Sequence, residues 1–204
     1  MQPRLSHLLV FGGLVLGSAL CVTAQPLDDS VADGIGIEQK LDAQVPLELS
    51  FRDETGNMVR LDQLVNDRPG LLALAYYECP MLCTQVLNGL LRGLRVVDFD
   101  IGQDFDVLTV SIDPGETSAL AAGKKREYVG GYGRDGAGSG WHFLTGDQAS
   151  IDALAESVGF KYEYDAETDN YIHASGIMVL TPEGRIARYL YGIEYSPKDL
   201  RLSL

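Results

Sequence analysis

Short apolar runs alternate with apolar positions at helical spacing along most of the 204-residue chain. Residues 71–77 and 106–112 are nearly continuous in apolar side chains, which is typical of strands buried on both faces of a sheet. Between them, five apolar positions recur three and four residues apart and predict an amphipathic helix: Val86, Leu87, Leu90, Leu91 and Leu94. Pro80 is expected to open this helix, because proline is favoured at the first helical position.

The other elements follow from the same patterns. Alternating or continuous apolar runs predict six further strands: residues 45–51, 58–61, 141–144, 160–164, 175–180 and 185–191. Capping and turn residues predict helices over 118–129 and 147–158 and a last helix that starts at Ser196. Strands that alternate with helices favour a mostly parallel sheet covered on both faces. The expected fold class is α/β, with a mostly parallel central sheet flanked by helices and a β-hairpin at each end.

The first 24 residues match a secretory signal peptide. Arg4 supplies the positive charge, residues 8–22 are apolar, and Val22-Thr23-Ala24 has the small-x-small pattern of a cleavage site. We therefore expect cleavage after Ala24 and export, with an uncleaved anchor as the alternative.

Two further segments complete the expected organisation. Residues 25–44 are polar, acidic and dotted with glycine, which predicts a flexible or loosely packed arm. Residues 45–204 are expected to form one domain. The last helical signal stops shortly after Lys198, which predicts that the C-terminal helix is truncated. The formal net charge of -13 argues against a nucleic-acid partner, because little positive charge is present to neutralise phosphates.

The chemistry concentrates at Cys79 and Cys83, which follow an apolar strand at the start of the predicted helix. They lie about one helical turn apart, so both sulfurs can point the same way. The helix N-terminus favours thiolate, whereas the charge of Glu78 opposes it. The loop between them is too short for a structural disulfide to stabilise much, which favours a functional dithiol. A dithiol at a strand-to-helix junction with a closing hairpin points to the thioredoxin-like fold.

The dithiol could serve redox chemistry or hold a metal. Its spacing is C-x-x-x-C, not the C-x-x-C of thioredoxin-type oxidoreductases. Where thioredoxins place an X-Pro bond before the closing hairpin, this chain has His173. Two thiolates and an imidazole suit copper, either Cu(I) or Cu(II), while structural zinc would need a fourth ligand. His142 is expected to be a packing or edge residue, and Met81 to pack under the cysteine loop.

At these residues the chain resembles the Sco/SenC family of copper-binding, thioredoxin-like proteins. Three features carry the resemblance: Cys79-Pro80-x-x-Cys83 after an apolar strand, Val110-Ser111-Ile112-Asp113-Pro114, and His173 followed by a strand and the Thr181-Pro182-Glu183-Gly184 turn. The resemblance implies Cys79, Cys83 and His173 as copper ligands and Asp113 as a nearby loop residue. Many members carry Asp directly before the histidine, where this chain has Ile172, so the sequence leaves the orientation of the imidazole unexplained.

The resemblance implies a function as well. It implies a periplasmic copper metallochaperone, not an enzyme, that delivers copper to the binuclear copper centre of cytochrome c oxidase; membrane association stays open. The implied partners are the oxidase subunit with that centre, other copper chaperones and thioredoxin-like reductants. The alternative is an exported thiol-disulfide oxidoreductase that keeps oxidase cysteines reduced, needing Cys79 and Cys83 but not His173. A peroxiredoxin-like peroxidase is disfavoured, because Tyr76 replaces the threonine of its T-x-x-C approach.

Overall fold

The computed structural model describes residues 34–65, 67–79 and 81–204. The expected signal peptide and Pro80 lie outside the described residues. The described strands are β1 (Gly36–Ile37), β2 (Ser50–Arg52), β3 (Met58–Arg60), β4 (Gly70–Ala75), β5 (Asp106–Ser111), β6 (Trp141–Leu144), β7 (Phe160–Asp165), β8 (Asn170–His173), β9 (Gly176–Leu180) and β10 (Ile186–Tyr191). The helices are α1 (Leu82–Leu94), α2 (Ser118–Tyr132), α3 (Ala137–Gly140), α4 (Gln148–Ser157) and α5 (Pro197–Ser203). Within these ranges, no helix combines the length and apolar character that crossing a bilayer requires.

The central sheet has five strands in the order β10-β9-β4-β5-β6. The β4–β5 and β5–β6 pairs are parallel, whereas β4–β9 and β9–β10 are antiparallel. The sheet is therefore mixed, and the prediction of a mostly parallel sheet is only partly confirmed. The reason lies in the connections. Helical crossovers join β4, β5 and β6, while a tight turn joins β9 to β10 and forces them to run antiparallel.

The strands of the sheet separate two apolar layers, because successive side chains point to opposite faces. Leu72 and Leu74 pack on the side of α4 and the β2–β3 hairpin. Leu71 and Ala73 pack on the side of α1, α2 and α5. Both faces of β4 are thus buried, as its continuous apolar sequence predicts, and the strand emerges into the cysteine loop from a rigid core.

A second, smaller sheet has the order β1-β7-β8 and carries His173 at the end of β8. Strand β1 pairs with β7, and the Glu38 N–H donates to the Gly159 carbonyl at 2.8 Å. Val45 N–H likewise donates to the Gly184 carbonyl at 3.0 Å. Residues 36–44, whose composition predicts a loose arm, are therefore packed against the domain. Backbone hydrogen bonds hold this segment in place, and its polar composition gives no sign of them.

Several element boundaries also differ from prediction. Helix α1 begins at Leu82 after Met81, two residues later than a helix opened by Pro80. The expected strand over residues 45–51 pairs only from Ser50, because the chain turns first and Leu49 N–H donates to the Pro46 carbonyl. The predicted start of α4 is confirmed, since the Asp147 carboxylate accepts the Ser150 N–H at 2.8 Å.

Candidate functional site

The cysteine loop is the segment between the end of β4 at Ala75 and the start of α1 at Leu82. The Tyr77 side chain anchors this loop to the central sheet. The buried Tyr77 hydroxyl lies 2.9 Å from the Thr109 carbonyl and 2.7 Å from the Leu144 carbonyl. At the other end of the turn, the Cys79 N–H donates to the Tyr76 carbonyl at 3.4 Å. These bonds fix the backbone directly before the first sulfur.

Glu116, which directly follows the Asp113-Pro114-Gly115 turn, also holds this loop. Glu116 is 8% exposed. Its Oε1 accepts the Glu78 N–H at 2.8 Å, and its Oε2 accepts the Ser111 hydroxyl at 2.6 Å. Burial raises the pKa of the Glu116 carboxyl, while the hydrogen bonds from Ser111 and from the backbone of Tyr77 and Glu78 act in the opposite direction. The carboxylate thus links the loop after β5 to the loop after β4.

The two cysteines face one another within this frame. The Cys83 N–H donates to the Cys79 sulfur at 3.3 Å, and the Tyr76 N–H to the Cys83 sulfur at 3.5 Å. Both residues are buried and neither forms a disulfide. Helix α1 begins between them, so the first sulfur lies against the helix N-terminus and the second on its first turn. This arrangement agrees with the prediction that both sulfurs point the same way.

The two thiols differ in acidity. The pKa of Cys79 lies below its ordinary value because the Cys83 thiol donates to its sulfur; burial opposes this effect, and the N–H groups of Cys83 and Met81 add to it. The pKa of Cys83 is raised by the same bond to Cys79 and by burial. The charge of Glu78, which was expected to oppose the thiolate, is outweighed at Cys79, because the Glu78 side chain is exposed and donors at the helix N-terminus lie against the sulfur.

His173 meets the dithiol directly. Its Nε2 lies 2.7 Å from the Cys83 sulfur, and its Nδ1 lies 2.8 Å from the Ala174 carbonyl. A carbonyl can only accept, so Nδ1 carries a proton and the Nε2 of a neutral ring presents its lone pair to Cys83. A backbone carbonyl therefore orients the imidazole, which the sequence left unexplained because Ile172 replaces the family's acidic residue.

Aromatic rings enclose the imidazole. Its centroid lies 6.3 Å from that of Tyr76 and 5.7 Å from that of Phe160. Tyr171, on the same strand as His173, packs against Tyr76 with centroids 5.5 Å apart. The hairpin of β7 and β8 thus turns an aromatic face toward the cysteine loop. Since His173 is only 7% exposed, this packing limits the positions that its ring can adopt.

Some sequence predictions about nearby residues are corrected. Met81 does not pack under the loop, since it is 66% exposed. His142 is a half-buried residue of the edge strand β6, as predicted. The Asp113 side chain lies beside Tyr171, whose hydroxyl is 3.4 Å from Asp113 Oδ1. Among the described residues, no group of three or more Cys, His, Asp or Glu is spaced like the ligands around a bound metal ion.

Three comparisons with known proteins bear on this site. A sequence model of the SCO1/SenC family matches residues 38–201. A search of curated protein sequences found no match. Among solved structures, a protein from Aquifex aeolicus VF5, provisionally described as an electron transfer protein, is 26% identical with a TM-score of 0.71; the match covers 81% of this chain and 92% of that one.

Two less identical structures share the fold. ScoI from Arabidopsis thaliana, solved with copper bound, is 20% identical with a TM-score of 0.59, covering 75% of this chain and 91% of its own. BsSco, described as a member of the Sco family of cytochrome c oxidase assembly proteins with a disulfide switch, is 21% identical with a TM-score of 0.57, covering 82% and 94%. Since the family model spans most of the sequence, this chain belongs to the SCO1/SenC family.

Proposed function

We propose that this protein is a copper metallochaperone that binds one copper ion through Cys79, Cys83 and His173. The observation that carries the proposal is the 2.7 Å contact between the Cys83 sulfur and His173 Nε2, which are 90 positions apart in sequence. The site brings together soft sulfur donors and one imidazole, a set that suits Cu(I) and also accepts Cu(II). The copper-bound relative from Arabidopsis supports the choice of metal.

The recipient that we propose is the binuclear copper centre of cytochrome c oxidase. Family membership and the description of BsSco as an oxidase assembly protein support this choice. Other copper chaperones and thioredoxin-like reductants are the further proposed partners. The N-terminal signal pattern, with cleavage after Ala24, supports export to the periplasm. Delivery of a metal ion involves no covalent turnover of a substrate, so the protein would act as a chaperone and not as an enzyme.

Copper binding requires a small rearrangement of the donors. With metal–sulfur and metal–nitrogen bonds of about 2.3 and 2.0 Å, two ligands on one ion stand roughly 3.5 Å apart. The Cys83 sulfur and His173 Nε2 lie closer than this, at 2.7 Å, so they must separate slightly as copper replaces the thiol proton. The Nδ1 bond to the Ala174 carbonyl would keep Nε2 directed at the ion.

Copper titration tests this proposal. Cu(I) is added anaerobically to the reduced mature domain, and stoichiometry is read by native mass spectrometry and affinity by a competing chelator. We expect one copper per chain, and a thiolate charge-transfer band for Cu(II). Cys79→Ala, Cys83→Ala and His173→Ala should remove or strongly weaken binding. His142→Ala is the matched control and should bind like the wild type. Unchanged stoichiometry and affinity in His173→Ala would overturn the ligand assignment.

A thiol-disulfide oxidoreductase is the second candidate. The free, adjacent thiols and their opposite pKa shifts favour it, because a thiolate beside a protonated partner is the arrangement of an attacking and a resolving cysteine. The disulfide switch of BsSco is consistent with it. The dithiol potential and insulin reduction by the wild type and His173→Ala separate the two functions. Reductase activity that survives in His173→Ala, together with no copper uptake by the wild type, would favour the oxidoreductase.

A further inference from the structure

Glu116 is the buried charged group closest in the hydrogen-bond network to the cysteine loop. Within the described parts of the chain it forms no ion pair with a lysine, arginine or histidine. Its two oxygens are instead satisfied by the Glu78 N–H and the Ser111 hydroxyl. A buried charge normally has a charged partner or a metal. An unpaired buried carboxylate beside a functional loop therefore calls for an explanation.

The hydrogen-bond directions indicate that the carboxylate accepts at both oxygens. The Glu78 N–H can only donate. The Ser111 oxygen accepts the Asp113 N–H at 3.1 Å, and its own proton has two acceptors within reach, Glu116 Oε2 at 2.6 Å and the Asp113 carbonyl at 3.2 Å. The shorter distance favours donation to Glu116. Glu116 thus needs only acceptor sites, as the ionised form provides. The Glu116 carboxylate therefore lies beside the turn before Cys79, because it accepts the N–H of Glu78.

The charge of the copper site determines what such a carboxylate does. Two thiolates, a neutral imidazole and Cu(II) sum to zero. Addition of one electron gives Cu(I) and a net charge of minus one. A nearby fixed anion leaves the neutral state almost unaffected and destabilises the anionic one. It therefore opposes reduction of the bound ion, so the site holds Cu(II) more tightly relative to Cu(I) than it would without the charge.

We propose that Glu116 is a positioning residue that also tunes this site: its bond to Glu78 holds the turn before Cys79, and its charge favours bound Cu(II) over bound Cu(I). The copper part rests on the proposed function of the site. The anchoring part does not, because it concerns the copper-free protein as well.

Two variants separate charge from anchoring. In Glu116→Gln the amide oxygen can still accept the Glu78 N–H, and Ser111 can turn its proton to the Asp113 carbonyl, which lies 3.2 Å from its oxygen. This variant removes the charge and keeps the anchor. Glu116→Ala removes both. Glu54→Gln is the control, because Glu54 is a shielded carboxylate that contacts Lys125 and the Phe143 N–H instead.

The charge is tested by the midpoint potential of bound copper and by separate Cu(I) and Cu(II) affinities. In Glu116→Gln we expect the Cu(I) to Cu(II) affinity ratio to rise about tenfold, which equals ~59 mV for one electron. At an effective dielectric constant of about 20, a unit charge about 10 Å away changes the free energy of reduction by an amount of this order. Glu54→Gln should leave the potential unchanged. A purely structural role would weaken both affinities in parallel, and an unmoved potential in Glu116→Gln would overturn the tuning role.

The anchor is tested without copper by amide hydrogen exchange at Glu78. Exchange should stay slow in Glu116→Gln and become at least about tenfold faster in Glu116→Ala, because the amide then loses its acceptor. Unchanged exchange in Glu116→Ala would overturn the positioning role.

If the wild type binds no copper, the proposed function fails and the tuning role fails with it. The positioning role is still decided by the exchange rate of the Glu78 amide, because that measurement needs no copper.

Discussion

The imidazole of His173 stands nearly perpendicular to the ring of Tyr76, with centroids 6.3 Å apart and the ring planes at 81°. Tyr76 is the first residue after β4, and its hydroxyl donates to Asn170 Oδ1 at 3.0 Å. Its ring also packs against Tyr171. Tyr76 therefore connects the central sheet, which carries the cysteines, to the hairpin that carries the histidine.

Removing the Tyr76 ring should loosen the position of His173. Tyr76→Ala is expected to lower the free energy of unfolding by about 3–5 kcal/mol, as for other buried aromatic side chains, and to weaken copper binding. Tyr76→Phe keeps the ring and loses one hydrogen bond, at about 0.5–1.5 kcal/mol, so copper affinity should change little. Urea unfolding and copper titration measure the two effects. Equal loss of copper affinity in both variants would show that the hydroxyl, and not the ring, supports the site.

The lowered pKa of Cys79 predicts its reactivity. The thiolate should persist below the ordinary range of about 8.5, so the alkylation rate of the reduced, copper-free protein should reach its midpoint at a lower pH. Cys83, whose pKa is raised, should label only after Cys79, as peptide mass mapping would show. Cys83→Ala is the informative control: because Cys83 donates the main stabilising bond, its removal should move the midpoint upward. A midpoint at the ordinary value in the wild type would contradict the assigned asymmetry.

Sequence patterns predicted the core of the fold well, since burial leaves a direct trace in side-chain type. The apolar run of β4 and the helical spacing in α1 both correspond to elements of the structure. The prediction of a mostly parallel sheet is only partly confirmed, because the direction of β9 relative to β4 depends on the path of the chain through β7 and β8. Strand β8 was missed, since its pairing with β7 is between backbone groups of a largely polar segment.

The site was predictable to a similar degree. Cys79, Cys83 and His173 could be picked out because their residue types carry chemistry and their positions fit one fold. Glu116 could not, since a glutamate after an Asp-Pro-Gly turn looks like a solvated capping residue. Only the folded chain shows that it is buried. The role of the Ala174 carbonyl has no sequence signal at all, because every residue carries a backbone carbonyl whatever its side chain.

Gly89 should be required for the placement of α1. A Cβ at this position would lie 1.8 Å from the Ile193 carbonyl oxygen, so the helix and the segment before α5 could not keep their distance. Gly89→Ala is therefore expected to destabilise the protein although alanine is the better helix former. Gly130→Ala in α2 is the matched control: a Cβ there meets no atom within 4 Å, and the change should stabilise by about 0.5–1 kcal/mol. Thermal or urea unfolding of both variants measures the two changes in stability. A shift of both variants in the same direction would contradict the prediction.

His142 should make stability depend on pH. Burial lowers its pKa below the ordinary value of 6.5, and the nearby charge of Lys125 lowers it further. The unfolded chain therefore takes up a proton at a higher pH than the folded one. Stability from the neutral, buried ring is fully present above the unfolded pKa and is lost as pH falls toward the folded pKa. Wild-type stability should accordingly decrease relative to His142→Gln as pH drops below about 6.5, by at most ~1.4 kcal/mol per pH unit. Urea unfolding of both proteins across this range isolates the effect of His142, because every other residue is the same in the two proteins. Parallel curves would mean that the ring is as easily protonated in the folded protein as in the unfolded chain.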